Sequence, residues 1–390
     1  MVIITNPYGI LVLNQLSKGV KLMEQVFLKR INEFYQWMKE NQLNATVITS
    51  PANVYYFTNF YSNPHERFMG LFLLENEEPI LILPALDVHE AKEKIKITKR
   101  IYGYADHEGP EMIIQQYVAS SHERALGFEE NQVSYKKASW LKSILKIKDT
   151  FDIEEGINQL RLTKDSLEIN YLKEAAEWAD KAVEYGIEAI KPGRSELEVI
   201  ASIEYKLKQQ GIEKMSFDTM VLTGLKSAAP HGKPGKETIQ KGDLVLFDLG
   251  VKLNGYCSDI SRTVAVGNIS EKQKEIYSVV QQAQELAIKS VKAGVPIKNI
   301  DLAAREFIQK AGYGEYFMHR TGHGLGIEVH EYPSIHEKNE ILLKKGMVFT
   351  IEPGIYLPEV GGVRIEDDIV ATEEDAYVLT SFTKDLIILT

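Results

Sequence analysis

A single cysteine, Cys257, stands in this chain of 390 residues. That excludes an internal disulfide framework and any thiolate metal cluster. No apolar run approaches the length of a membrane span. The opening residues lack the basic segment followed by an apolar one that marks a secretion signal. An excess of positive charge is missing too. The formal charge is −10, which argues against nucleic acid and anionic membrane as partners. Gly322, Gly324 and Gly326 resemble part of a dinucleotide fingerprint, but their spacing is wrong and no strand-turn-helix context follows. The cytoplasm is the simplest address.

What is present reads as two domains, which the length favours. Hydrophobic residues make up 44% of the chain, ordinary for a globular protein. Residues 23–150 alternate between helix and strand, a small α/β domain. Glu24–Asn41 carries Val26, Phe27, Ile31, Phe34, Tyr35 and Met38 at helical spacing. Strands are expected near 45–49, 69–74, 80–83, 98–102 and 125–128. Further helices are expected near 84–94, 110–119 and 134–145. Residues 151–162 read as a linker. Beyond it, residues 163–390 look like one unit used twice, each half two helices followed by antiparallel strands. Thr163 is the expected cap of the first helix, a run reaching about Ile190, and Ser195–Gln210 is the second. Asn254-Gly255 signals a tight hairpin, which brings Asp248 and Asp259 near each other. The second half does the same for Glu352 and Glu366 across the connection 354–362, so the fold class is α+β with a pseudo-twofold C-terminal domain.

Five residues in this second domain form a candidate two-metal site. Asp248 lies in DLVLFDLG, Asp259 in GYCSDISRT, His323 in HRTGHGLG, Glu352 in FTIEPG and Glu366 in GGVRIEDD. Four carboxylates and one imidazole make a hard, oxygen-rich set that suits manganese, with cobalt or zinc as substitutes. Two divalent cations cancel the four negative charges. Without them, carboxylates ~4 Å apart repel by about 4 kcal/mol at an effective dielectric of 20. Each acid alone is weak evidence. Glu352 and Asp248 follow apolar runs, however, where an acid needs a partner. His323 lies among glycines, with no apolar face to bury it. His231 sits in a loop, and His319 and His330 flank His323 without making an HExxH zinc helix. Arg364 shares a strand face with Glu366. It can anchor a substrate carbonyl or carboxylate, or pair with Asp367 or Asp368 at the surface.

Taken together, these motifs resemble the pita-bread metallopeptidases, which include methionine aminopeptidases, Xaa-Pro aminopeptidases and prolidases. The resemblance covers essentially all of Met23–Thr390. The Arg364 motif and the extra creatinase-like N-terminal domain point away from methionine aminopeptidase, and Asn63–Arg67 is most similar to the bacterial Xaa-Pro dipeptidases. The resemblance implies that Asp248 chelates one metal, that His323 and Glu352 complete the second, and that Asp259 and Glu366 bridge them. It implies contacts from His231 and His330 to the substrate amide and the tetrahedral intermediate. His319 is then expected on the proline side and Arg364 at the prolyl end. The implied reaction is hydrolysis of Xaa-Pro dipeptides by a bridging hydroxide, with Glu352 carrying the proton, in a homodimer. Asn63–Arg67 is the candidate for a loop that excludes longer peptides. The rivals are an Xaa-Pro aminopeptidase acting on longer peptides, a creatinase-like C–N hydrolase and a non-catalytic binding module. The last two lose metal ligands, and this chain has lost none.

Residues 1–22 lack clear periodicity, and the first strong helix signal starts near Met23. Lys18-Gly19-Val20 can be encoded by AAAGGAGTG, which contains a bacterial ribosome-binding sequence at a suitable distance before Met23. The expectation is that Met23 is the native start and that 1–22 is a translated leader; the alternative is a poorly ordered arm. N-terminal sequencing of protein made from the native gene should give Met23, and a product starting at Met1 refutes this.

Overall fold

The structure, a computed structural model, describes residues 7–118 and 125–390, with side chains described from Glu24 onward. The chain divides into two units between Arg161 and Leu162. The expected leader, residues 1–22, thus lies wholly outside the described side chains. Its backbone from Pro7 is helical, earlier than the start expected near Met23.

The first unit contains α1 (Pro7–Glu40), β1 (Ala45–Ile48), α2 (Pro51–Thr58), β2 (Gly70–Leu74), β3 (Ile80–Pro84), α3 (Val88–Lys94), β4 (Ile101–Tyr104), α4 (Glu111–Tyr117), β5 (Ala125–Phe128), α5 (Tyr135–Leu145), β6 (Asp149–Asp152) and α6 (Glu154–Leu162). Its sheet runs β4-β3-β2-β1-β5-β6. β2 is antiparallel to both neighbours, and the remaining pairs are parallel. Phe27, Ile31, Phe34 and Met38 form the buried stripe of α1, the helical spacing read from the sequence. The residues expected as a linker instead complete β6 and form α6.

The second unit contains α7 (Ser166–Ala189), α8 (Glu196–Gln209), β7 (Lys214–Met215), β8 (Met220–Thr223), β9 (Leu244–Leu249), β10 (Val251–Leu253), β11 (Tyr256–Cys257), β12 (Ile260–Val266), α9 (Glu271–Lys289), α10 (Lys298–Lys310), β13 (Gly322–Gly324), β14 (Glu331–Ile335), β15 (Val348–Ile351), β16 (Gly354–Leu357), β17 (Gly361–Arg364), β18 (Asp367–Ala371), β19 (Ala376–Val378) and β20 (Ile388–Leu389). The antiparallel run β8-β9-β12 is matched by β13-β15-β18, so the expected two-fold repetition is present. Each half also carries a short hairpin, β10-β11 in the first and β16-β17 in the second. Asn254 and Gly255 both take positive φ, 48° and 78°, in the first hairpin's turn, as a tight two-residue hairpin turn demands.

α7 and α8 pack on the strands of the first half, and α9 and α10 on those of the second. Ala175, Ala176, Ala179 and Ala182 make the buried face of α7 thin. A Cβ at Gly186 would sit 2.6 Å from the Phe247 ring, so the missing side chain lets α7 lie on β9. In the second half α9 buries Gln284, whose amide donates to Asp367 at 2.8 Å.

Thr163 does not cap α7. Asp165 does: its carboxylate accepts from the backbone of Leu167 and Glu168, and Glu168 reaches back to the Asp165 N–H. A carboxylate at this place satisfies two otherwise unpaired donors and meets the positive helix end. Thr163 is instead held by a backbone bridge to Met347. Asp165→Ala should therefore cost about 1 kcal/mol, a fall in Tm of about 2–4 °C, whereas Thr163→Ala should cost less. Thermal melts of the two variants check this.

Candidate metal centre

The candidate ligands all sit at strand ends or in breaks between strands. Asp248 is on β9, opposite Met220 of β8 and Ser261 of β12. Asp259 occupies the break between β11 and β12, and Glu366 the matching break between β17 and β18. Glu352 follows β15, and its N–H donates to the Thr321 carbonyl at 2.8 Å. His323 is the central residue of β13, which runs between β14 and β15. No apolar face flanks this histidine along the chain, yet it is 2% exposed. The flanking glycines are the reason. A Cβ at Gly322 would run into the Thr350 carbonyl and one at Gly324 into the Tyr332 carbonyl, so the missing side chains let the strands on both sides approach β13 closely.

Two contacts tie the halves together in a reciprocal way. Ser261, two residues after Asp259, donates its hydroxyl to Glu366 at 2.8 Å. Asp368, two residues after Glu366, accepts the Asp259 N–H at 3.0 Å. Behind them, Arg262 is buried, pairs with Asp367 at 2.7 Å and also donates to the Glu366 carbonyl. Lys384 reaches Asp367 from the other side at 2.8 Å. Those two cations hold the Asp367 carboxyl below its usual range in spite of burial.

All five ligand candidates, together with His231, His319, His330 and Arg364, line one cavity of about 430 Å³. Phe217, Pro230, Arg320 and Val329 complete its wall. Arg364 is not a surface residue. It is 3% exposed, and Asp367 is taken by Arg262 and Lys384, so the surface pairing considered from sequence does not occur. Its Nη2 pairs with Asp248, its Nη1 donates to the Tyr356 hydroxyl at 2.9 Å and its Nε to the Ser261 hydroxyl at 2.8 Å.

Hydrogen bonds fix the state of two histidines. His319 Nδ1 lies 2.7 Å from the Arg320 carbonyl, which can only accept, so this nitrogen carries the proton. Nε2, 2.9 Å from the Tyr356 hydroxyl, then accepts from it. Burial pushes His319 down to about 4, so the ring is neutral. His323 Nδ1 likewise faces a carbonyl, that of Gly324, at 3.2 Å. Burial, with His330 beside it, pushes His323 down to about 3. The His323 Nε2 lone pair therefore points at Asp259 and Glu352 oxygens 3.7 and 3.5 Å away. A lone pair facing carboxylate oxygens is repulsive unless a cation lies between them.

The acids tell the same story. Burial first, then the charges of Glu366 and Asp248, lifts Asp259 well above the usual carboxylate range. Glu366 is lifted likewise by burial, Glu352 and Asp248. Burial pushes Glu352 up to about 7, against the Arg364 charge and with that of Asp248. Asp259 Oδ1 and Glu366 Oε1 are buried with no hydrogen-bond partner. Atoms of Asp259, His323 and Glu366 lie within 4.8 Å of one another. These donors fit divalent cations. Sequence reasoning missed Tyr356, Ser261 and Arg320. For Arg320 the only signal was its place three residues before His323.

The family model of metallopeptidase family M24 matches residues 170–373. The chain belongs to metallopeptidase family M24. The Creatinase/Prolidase N-terminal domain model matches residues 30–163. The "Putative dipeptidase YkvY" of Bacillus subtilis is 50% identical over 364 residues, 93% of this chain and 100% of that protein. The prolidase of Pyrococcus horikoshii has a TM-score of 0.86 at 38% identity, covering 92% of this chain and 100% of its own. The Xaa-Pro dipeptidase of Bacillus anthracis has a TM-score of 0.87 at 36% identity, covering 93% and 100%. This M24 peptidase therefore carries the α+β pita-bread architecture read from its sequence, and none of the five ligand candidates falls outside the site.

A carboxyl whose folded value is raised binds its proton more tightly folded than unfolded. Its stabilising contribution is present below the unfolded value and is lost as pH rises toward the folded one. For Glu352 that window runs from 4.5 to about 7. The depressed His319 and His323 act in the opposite sense, so the test compares metal-free wild type with metal-free Glu352→Gln. The variant should gain a few degrees of Tm on wild type across that window and no more above it. A difference that stays constant with pH contradicts an uncompensated buried carboxylate.

Proposed function

We propose that this peptidase hydrolyses the Xaa-Pro bond of dipeptides. The observation that carries the reading is the convergence, in one small cavity, of four carboxylates with a neutral imidazole lone pair aimed among them. A volume of about 430 Å³ is at the small end for ligand pockets and suits a short peptide. When bound by Asp248, Asp259, His323, Glu352 and Glu366, a pair of divalent ions, manganese by this donor set, supplies an ionised water and polarises the peptide carbonyl.

The chain's own groups do the rest. Glu352 accepts a proton from the attacking water and passes it to the leaving proline nitrogen. His231 and His330 stand on the cavity wall as donors to the substrate carbonyl and to the oxyanion that forms from it. His319, locked neutral with both nitrogens engaged, forms a wall for the proline ring and moves no proton. Arg364 holds Asp248 in place. The reading carries with it a cytoplasmic homodimer acting on small peptides. The charge of −10 argues against nucleic acid and anionic membrane as partners, and no helix among the described residues is long and apolar enough to cross a membrane.

The test is a panel of Xaa-Pro dipeptides and Xaa-Pro-Yaa-Zaa tetrapeptides, given to metal-free protein reloaded with manganese, cobalt or zinc. Dipeptides should turn over and tetrapeptides much less. Equal turnover assigns an Xaa-Pro aminopeptidase instead. Asp259→Ala and Glu366→Ala should drop turnover to background and weaken metal binding in calorimetry. Near-wild-type activity in either variant overturns the mechanism.

A further inference from the structure

The Xaa-Pro amide is tertiary and has no N–H to offer, so a dipeptide is distinguished from a longer chain by its free carboxylate. The enzyme needs a cation for that group. Among the residues lining the cavity, the permanent cations are Arg320 and Arg364. Arg364 is committed inward, with all three nitrogens engaged by Asp248, Tyr356 and Ser261. Turning it toward a substrate would strip Asp248 of its partner at a part-buried position, which is strongly unfavourable.

Arg320 is in a different situation. It is half-buried, and no carboxylate among the described residues lies within ion-pair distance of it. Its side chain makes one hydrogen bond among them, from Nη1 to the Ser334 hydroxyl at 3.2 Å, long for such a contact. Ser334 is the cross-strand partner of His323, and Arg320 follows His319 directly. The guanidinium is thus held on the histidine side of the cavity by a neutral hydroxyl, with most of its donors unspent. A half-buried guanidinium that makes no ion pair, its charge felt only at longer range by Glu352 of the same cavity, is placed to receive an anion that arrives with the substrate.

We infer that Arg320 is the specificity-determining residue of this enzyme: its guanidinium takes the C-terminal carboxylate of the dipeptide, while Ser334 holds it in place. The inference rests on the Xaa-Pro reading above and assigns the dipeptide limit to one side chain. A longer peptide presents an uncharged amide there and leaves the charge of Arg320 unpaired.

The experiment uses manganese-loaded wild type, Arg320→Gln, Arg320→Lys and Ser334→Ala. Each is assayed on Ala-Pro, on its C-terminal amide and on Ala-Pro-Ala. Calorimetry measures binding of a reduced-bond Ala-Pro analogue that cannot be hydrolysed. Arg320→Gln should raise KM for Ala-Pro by roughly 10- to 100-fold, the usual worth of a hydrogen bond to a charged group. The same variant should change the KM for the amide little, so the preference for acid over amide collapses. Analogue affinity should fall by the same factor. Arg320→Lys should recover part of the loss, keeping the charge but not the fork, and Ser334→Ala should show a smaller loss in the same sense. An acid-to-amide ratio that survives in Arg320→Gln overturns the inference, as does a rise in KM for both substrates together. Wild type that cleaves no Xaa-Pro substrate overturns the functional reading itself, and the role of Arg320 with it. Wild type that cleaves Ala-Pro and its amide equally well leaves the peptidase reading standing and refutes the inference alone.

Discussion

Carboxylates that repel one another are held together out of water, and the catalytic unit is organised around that fact. Two such groups ~4 Å apart cost about 4 kcal/mol at an effective dielectric of 20, and here there are four. The fold compensates some acids and not others. Asp367 has Arg262 and Lys384, and Asp248 has Arg364. Asp259 and Glu366, the most central pair, have neutral partners and orphaned oxygens. Internal cations are thus placed around the rim of the cluster and behind it, while its middle is left negative. Folding tolerates this because protonation can relieve the charge when metal is absent. Bound cations remove the need for that proton.

Repetition supplies the rigidity. Asp259 and Glu366 each stand in a break between a hairpin and a main strand, and each is fixed by the residue two places beyond the other. The link is a hydroxyl on one side, Ser261, and a carboxylate on the other, Asp368. One half therefore cannot shift against its twin without pulling a ligand with it. The buried Arg262 reinforces this by donating to the Glu366 carbonyl while paired with Asp367. Buried ion pairs are weak sources of stability but strong enforcers of position, and at this seam position is what the chemistry needs.

Much of this could be read from the chain, and the limits follow a physical line. Local signals worked: the stripe Phe27, Ile31, Phe34 and Met38, the start of α8 at Ser195, the Asn254-Gly255 turn, and strands ending in acids after apolar runs. Contacts between distant residues did not announce themselves. Ser261 and Glu366 are 105 positions apart, and alternation along a strand tells which face a residue takes but not what stands opposite. The same gap put Arg364 beside Asp367 at the surface as one option, because both are charged and close in sequence. Thr163 reads as a cap by residue type alone, but a backbone bridge to Met347 holds it and Asp165 takes the helix end. The short α2, with Ser50 as cap and proline in its first turn, carries too few residues for periodicity to show.

The two arginines of the cavity show how one residue type is given opposite work by its surroundings. Arg364 lies on β17, inside the cluster, where Asp248, Tyr356 and Ser261 converge on it. The chain from Arg364 through the Tyr356 hydroxyl to His319 Nε2 and on to the Arg320 carbonyl also fixes the tautomer of that ring. A guanidinium so enclosed behaves as part of the scaffold, and its charge is spent on the acids. Arg320 begins at the far end of this same chain, one residue past His319, with its backbone anchored and its side chain held by a single hydroxyl. Anchoring the backbone while leaving the charge unpaired gives a group that is placed in advance yet still has its attraction to offer. Preorganisation of that kind lets a small cavity select a charged substrate without a large loss of side-chain entropy on binding.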